Sequence, residues 1–310
     1  MNPAALAPND RRDFGKIVPP GLGAAGPRDQ AEGLRRLAGI RRRTARVVAI
    51  TSGKGGVGKT NVSVNLALAL AAAGRRVVLV DLDLGLANAD ILLDLTARYN
   101  LSDVISGRRS LDEVLIPAAP GLRIVPGASG VERLANLGEA ERQALVASLE
   151  SLCADADFVV FDTGAGISRN TTSFIAAADE VVIITTPEPT AVVDAYAVIK
   201  LIALVGDHGD LGVVINMAES AEEAGRFAHG IAVTANKLLN AYVAELGYIL
   251  NDPHVAQAVR RRRPVLREFP GAPASRCIRE LAARIAAGTR PETAGERVGF
   301  VRRLLGALGR

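Results

Sequence analysis

The stretch Ile50-Thr51-Ser52-Gly53-Lys54-Gly55-Gly56-Val57-Gly58-Lys59-Thr60 constrains the fold of this 310-residue chain more than any other. The β-branched run Val47–Thr51 reads as a strand, and Thr60–Ala73 reads as a helix. Gly53 to Thr60 fits G-x-x-x-x-G-K-[ST] at that strand-to-helix junction. Glycines there let successive backbone N–H groups turn inward around phosphate oxygens, and the helix N-terminus adds a positive partial charge. Lys59 then reaches the β- and γ-phosphates, and the Thr60 hydroxyl completes a Mg²⁺ shell of phosphate and water.

The rest of the chain alternates in the same way. Strand-like runs fall at Arg76–Asp81, Leu122–Pro126, Phe158–Asp162, Val181–Thr186 and Leu211–Asn216, with a last one near Tyr248–Leu250. Most are continuously apolar, as in parallel strands covered on both faces. Helical stretches such as Glu139–Leu152 and Ala191–Leu204 lie between them, which predicts an α/β fold: a doubly wound, mostly parallel sheet flanked by helices. Val80-Asp81-Leu82-Asp83 and Asp162 close two strands, placing three carboxylates at the C-terminal edge beside the phosphates. Packing gives acids no reason to be there, whereas Mg²⁺ and its waters do.

Charge is distributed unevenly. The formal net charge is +4, but residues 1–46 carry ten basic and four acidic side chains, 47–259 carry 14 and 25, and 260–310 carry 13 and four. An acidic body thus lies between basic ends. Two cysteines far apart suggest neither a disulfide framework nor a metal cluster. The N-terminus lacks the apolar segment of a signal peptide, and no apolar run reaches the roughly 18–20 residues that span a bilayer. These features predict an intracellular protein.

Lys54, at the start of the loop, resembles the second lysine that marks the deviant phosphate loop of the MinD/ParA class of ATPases. Other stretches are similar to one branch of that class, the FlhG/FleN flagellar-number regulators. They are Gly58-Lys59-Thr60-Asn61-Val62-Ser63-Val64-Asn65, Asp83-Leu84-Gly85-Leu86-Ala87-Asn88-Ala89-Asp90, Asp162-Thr163-Gly164-Ala165-Gly166-Ile167-Ser168 and Thr186-Pro187-Glu188-Pro189-Thr190. The resemblance spans about residues 46–285. It implies ATP and Mg²⁺ as cofactors, with Gly53 to Asn61 around the phosphates and Lys54 reaching a partner's nucleotide in an ATP-dependent homodimer. It implies Asp81 and Asp162 in the outer shell of the metal, and Asp83 orienting the attacking water. Asn216 is implied at the adenine, although it could equally cap the following helix. Asn251 and Asp252 could add backbone contacts to the base.

Both ends extend beyond this ATPase body. Residues 1–45 read as a flexible extension, with a short helix from Asp29. Within it Asp29, Gln30, Ala31, Leu34 and Arg35 fit the D-Q-A-x-x-L-R activator motif of the branch, implying contact with the SRP-type GTPase FlhF. The body occupies 46–290, and 291–310 is a separate segment. In it Phe300, Val301, Leu304, Leu305 and Leu308 fall on one helical face, with Arg302 and Arg303 opposite, the pattern of a helix lying on an anionic inner membrane. The resemblance also implies flagellar switch or basal-body components and a flagellar transcription activator as partners. The protein would be cytoplasmic, and peripheral to the membrane when ATP is bound. The rivals are a ParA-like nucleoid ATPase, with Arg41–Arg43 and Arg260–Arg263 on DNA phosphates, and MinD-like division-site placement. The amphipathic tail and activator-like helix argue against the first, and the N-terminal extension against the second.

Overall fold

The computed structural model describes residues 44–83, 88–127, 139–164, 169–206, 208–288 and 299–308. The expectations for Asp29, Gln30, Ala31, Leu34 and Arg35 lie outside these residues, as do those for 84–87 and 165–168. The chain divides into two units, 1–42 and 43–310, and everything described belongs to the second.

The first strand, β1 (Arg46–Thr51), leads through the glycine-rich loop into α1 (Lys59–Ala72), and β2 (Val77–Leu82) follows. Three short helices, α2 (Ala89–Leu92), α3 (Leu101–Ile105) and α4 (Leu111–Val114), precede the hairpin of β3 (Ile116–Ala119) and β4 (Leu122–Val125). Then α5 (Glu139–Asp155), β5 (Phe158–Thr163), α6 (Arg169–Ala177), β6 (Glu180–Thr185), α7 (Pro189–Val205), β7 (Asp210–Ala218), α8 (Ala221–Leu239) and β8 (Val243–Leu250) alternate. The described chain closes with α9 (Pro253–Arg260), α10 (Val265–Glu268), α11 (Pro273–Ala287) and α12 (Phe300–Leu308).

The eight strands run in the order β3-β4-β2-β5-β1-β6-β7-β8, parallel except for the antiparallel pair β3/β4. The expected fold is therefore the observed one. Side chains alternate between two cores: Val47 and Ala49 face α5–α8 and α12, while Val48 and Ile50 face α1 and α9–α11. Because β1, β2, β5, β6 and β7 are parallel, all their C-terminal ends meet on one edge, and the loop opens there.

The sequence pattern does not reveal β3, because Pro117 interrupts any strand signal; proline is tolerated since β3 is an edge. At the other edge β8 begins at Val243, earlier than its apolar residues suggest. Its register with β7 shifts near Gly247, which has a φ of 138°. Arg284 Nη1 there donates to the Leu246 carbonyl at 3.0 Å. A bulge and a capping arginine are ways to blunt an open strand edge.

The last helix corrects one expectation. The sequence pattern puts Arg303 opposite the apolar stripe, but it turns inward with Phe300 and Leu304, at the i, i+3, i+4 spacing of a helix face. Its Nε donates to the Ala177 carbonyl at 2.9 Å, and its guanidinium pairs with Asp179 at the foot of β6. Phe300 packs 5.4 Å from the Phe161 ring, and Leu304 is wholly buried. Phe300 and Leu304 thus belong to the core in this conformation, while Arg302 and Leu305 face outward.

Candidate functional site

The phosphate loop is shaped by backbone freedom and by what presses on it. Gly56 and Gly58 have φ of 80° and 86°, angles that glycine adopts without strain. At Gly53 a Cβ would lie 2.2 Å from the Asp194 carbonyl oxygen of α7, so no larger residue fits. Ser52, buried, donates through Oγ to the Lys54 carbonyl at 2.9 Å and closes the first bend.

Beneath the loop lie the cation and the acids that the sequence singled out. Lys59 is 7% exposed, with Nζ 3.7 Å from Asp162 Oδ1. Ser63 Oγ, one turn along α1, donates to the same oxygen at 2.9 Å. Ser63 is a site residue that the sequence shows only as an interruption of an apolar helix. Its neighbour Asn65 accepts from the Leu266 backbone N–H at 3.0 Å, tying α1 to α10.

Asp81 and Asp162 are direct neighbours across β2 and β5. Asp81 Oδ1 accepts from the Asp83 N–H at 2.9 Å, and Oδ2 from Asn88 and Ala89 at 3.1 and 3.2 Å. Burial, and then the adjacent Asp162 charge, nonetheless push its carboxyl up to about 7. Asp162 is also raised by burial, opposed by Lys59, Thr60 and Ser63. Asp83, half-buried, lies beside Gly164, where a Cβ would approach its Oδ1 to 3.3 Å.

Two buried carboxyl groups with a third beside them call for a counter-cation. Asp162 Oδ2 is buried without a hydrogen-bond partner, which is uncommon for a buried polar atom. A hydrated divalent ion supplies both the positive charge and the water donors. Thr60, Asp81 and Asp162 therefore fit Mg²⁺ held through phosphate and water.

Lys54 stands at the rim, 42% exposed, with Nζ 3.0 Å from Glu188 Oε2 and 3.4 Å from Thr190 Oγ1. Glu188 and Thr190 lie 134 and 136 residues along the chain, so only the folded sheet brings them to the loop. Asn216 is buried at the same edge, with Nδ2 donating to the Val57 carbonyl at 2.7 Å. It does not cap α8, whose N-cap is Ser220. Asn251 is exposed and bonds Glu219 through its side chain at 2.9 Å. The Asp252 carboxylate is committed elsewhere: it caps α9 through His254 N at 3.0 Å and accepts from Ala274 N at 3.0 Å.

A glycine loop opening α1, a buried lysine under it, a second lysine at its rim and acids closing β2 and β5 define a phosphate-loop ATPase of the MinD/ParA class. A family model described as an AAA domain matches residues 45–213. The chain is 42% identical over 241 residues to the antiactivator FleN of Pseudomonas aeruginosa, covering 77% of this chain and 85% of that protein. It is 36% identical over 236 residues to the flagellum site-determining protein YlxH of Helicobacter pylori, covering 76% and 80%. Among solved structures it resembles the septum site-determining protein MinD of Pyrococcus horikoshii, complexed with Mg-ADP. That likeness has a TM-score of 0.66 and 26% identity, covering 80% of this chain and 99% of the other. The chain belongs to the FleN/YlxH (FlhG) family of flagellar-number regulators, within the MinD/ParA ATPases.

Proposed function

We propose that this chain is an ATP-driven dimerising switch that sets flagellar number and placement, and that it acts partly by stimulating the GTPase FlhF. The observation that carries the reading is Lys54. Its ammonium lies at the exposed rim of the loop, within reach of Glu188 and Thr190, whereas Lys59 is buried beneath the loop. A lysine so placed is available to a nucleotide held by a facing copy, so ATP binding and pairing become one event. Lys59 and the loop N–H groups hold the β- and γ-phosphates, and the glycines admit them without side-chain obstruction. Asp83 orients a water toward the terminal phosphate, while Asp81 and Asp162 hold the outer sphere of the metal site. Bound Mg²⁺ supplies charge neutralisation across the phosphate oxygens.

The flagellar partners are carried over from the family, as is a flagellar transcription activator. Of the two rivals, a nucleoid role draws on the exposed turn Arg260–Arg263. Yet Arg261 and Arg263 in it are already paired with Glu268. Replacing Lys54 with Ala tests the central claim by analytical ultracentrifugation with ATP and Mg²⁺. The variant should remain a folded monomer where the unaltered protein dimerises. Dimerisation that survived the change would refute the switch.

A further inference from the structure

We infer that Asn216 is a positioning residue for the phosphate loop, a strut that holds the Val57 carbonyl and so sets the loop's shape whatever base is bound. The inference rests on the ATP-binding reading above and deepens it.

β7 is two strands from β1, with β6 between them, yet the end of β7 meets the loop after β1. The register of β7 with β8 shifts between Ile215 and Ala218, and Met217 takes a left-handed φ of 57°. That conformation is uncommon for a residue with a side chain. Bulges of this kind re-aim neighbouring side chains. Here the Asn216 amide crosses to the loop and donates to Val57 O at 2.7 Å, with the residue 7% exposed.

The loop is built to receive it. A Cβ on Gly58 would lie 2.4 Å from Asn216 Nδ2, so the amide occupies the space that a side chain at 58 would fill. The acceptor also fixes which way the amide faces. A carbonyl opposite requires the nitrogen, so Oδ1 and the second N–H of Nδ2 are what is left to meet any further group. Asn216 thereby links the strand end associated with the base to the loop that grips the phosphates. Removing the amide leaves a buried carbonyl without its donor, a loss the loop feels before any ligand arrives.

The test starts with ligand-free full-length protein. Hydrogen exchange of the 52–60 segment is compared in the unaltered chain, Asn216→Ala and Asn216→Asp. Aspartate keeps the size of asparagine but sets oxygen against oxygen, so it separates the donor from simple packing. Both variants should exchange these amides about three- to tenfold faster, the range set by one hydrogen bond. Affinities for Mg·ATP and Mg·GTP should fall by a common factor of similar size. Loop exchange at the unaltered rate would overturn the strut, as would a loss confined to ATP with GTP binding unchanged. An unaltered protein that bound neither nucleotide would sink the ATPase reading, while the exchange measurement would still decide the strut.

Discussion

Asp252 shows how one side chain in this fold can hold several elements at once. Its Oδ1 accepts from the His254 N–H and meets the His254 ring nitrogen at 2.7 Å, while Oδ2 accepts from Ala274 at the start of α11. Burial pushes its pKa up, but these donors outweigh burial and hold it below the usual carboxylate range. A carboxylate depressed in the folded state adds stability above its unfolded value, about 3.9. That stability is lost as pH falls through the depressed folded value. An asparagine in its place would keep one acceptor and turn an N–H toward a donor. Denaturant melts of Asp252→Asn at pH 7 should therefore show a loss of about 1–2 kcal/mol. The gap to the unaltered protein should close as pH drops below about 4; a gap that stayed constant would show that the charge is irrelevant. At this scale the sequence is legible wherever chemistry is local. Gly53 to Thr60 sit at fixed spacing, and Asp81 and Asp162 end apolar runs. Lys54–Glu188, Asn216–Val57 and Arg303–Asp179 join residues 134, 159 and 124 apart, and no local pattern announces such pairs.

Among the elements, α12 carries an amphipathic pattern that has two readings. The apolar stripe fits lipid, yet Phe300 and Leu304 are core residues and Arg303 is buried against Asp179. Sequence periodicity shows that a helix has one apolar face; it does not show what covers that face. The same blindness hides β3, a short proline-bearing edge recognisable only once β4 lies beside it. Docking of α12 hangs on a largely buried ion pair, with side chains 6% and 18% exposed. Truncating one member of such a pair is strongly destabilising, since the other charge is left buried. Arg303→Ala should therefore loosen α12 from the body. Hydrogen exchange across 300–308 should quicken by roughly tenfold or more, while α1 and the central strands keep their protection. Equal acceleration everywhere would mean that Arg303 supports the whole fold and is no local latch.

Over the whole molecule, charge and apolar surface together set what the ATP-bound form can touch. Residues 47–259 carry 14 basic against 25 acidic side chains, so the body alone is repelled by an anionic membrane; residues 260–310 carry 13 against four. Among the described residues no helix is long and apolar enough to cross a membrane. The peripheral attachment expected from the sequence requires α12 to leave its place beside Phe161. A single short amphipathic helix binds a bilayer weakly, and two held on one dimer bind with avidity. Vesicle pelleting on anionic lipid should thus require ATP and Mg²⁺. It should weaken as salt rises, because the attraction reaches only about 8–10 Å at ordinary ionic strength. Deleting residues 296–310 should abolish pelleting. Because the cut also bares Phe161 and leaves Asp179 without Arg303, the outward-facing Leu305→Glu is the companion variant that should weaken pelleting while leaving ATP hydrolysis intact. Pelleting that persisted after the deletion would place the membrane contact elsewhere, with the exposed turn Arg260–Arg263 the next surface to alter.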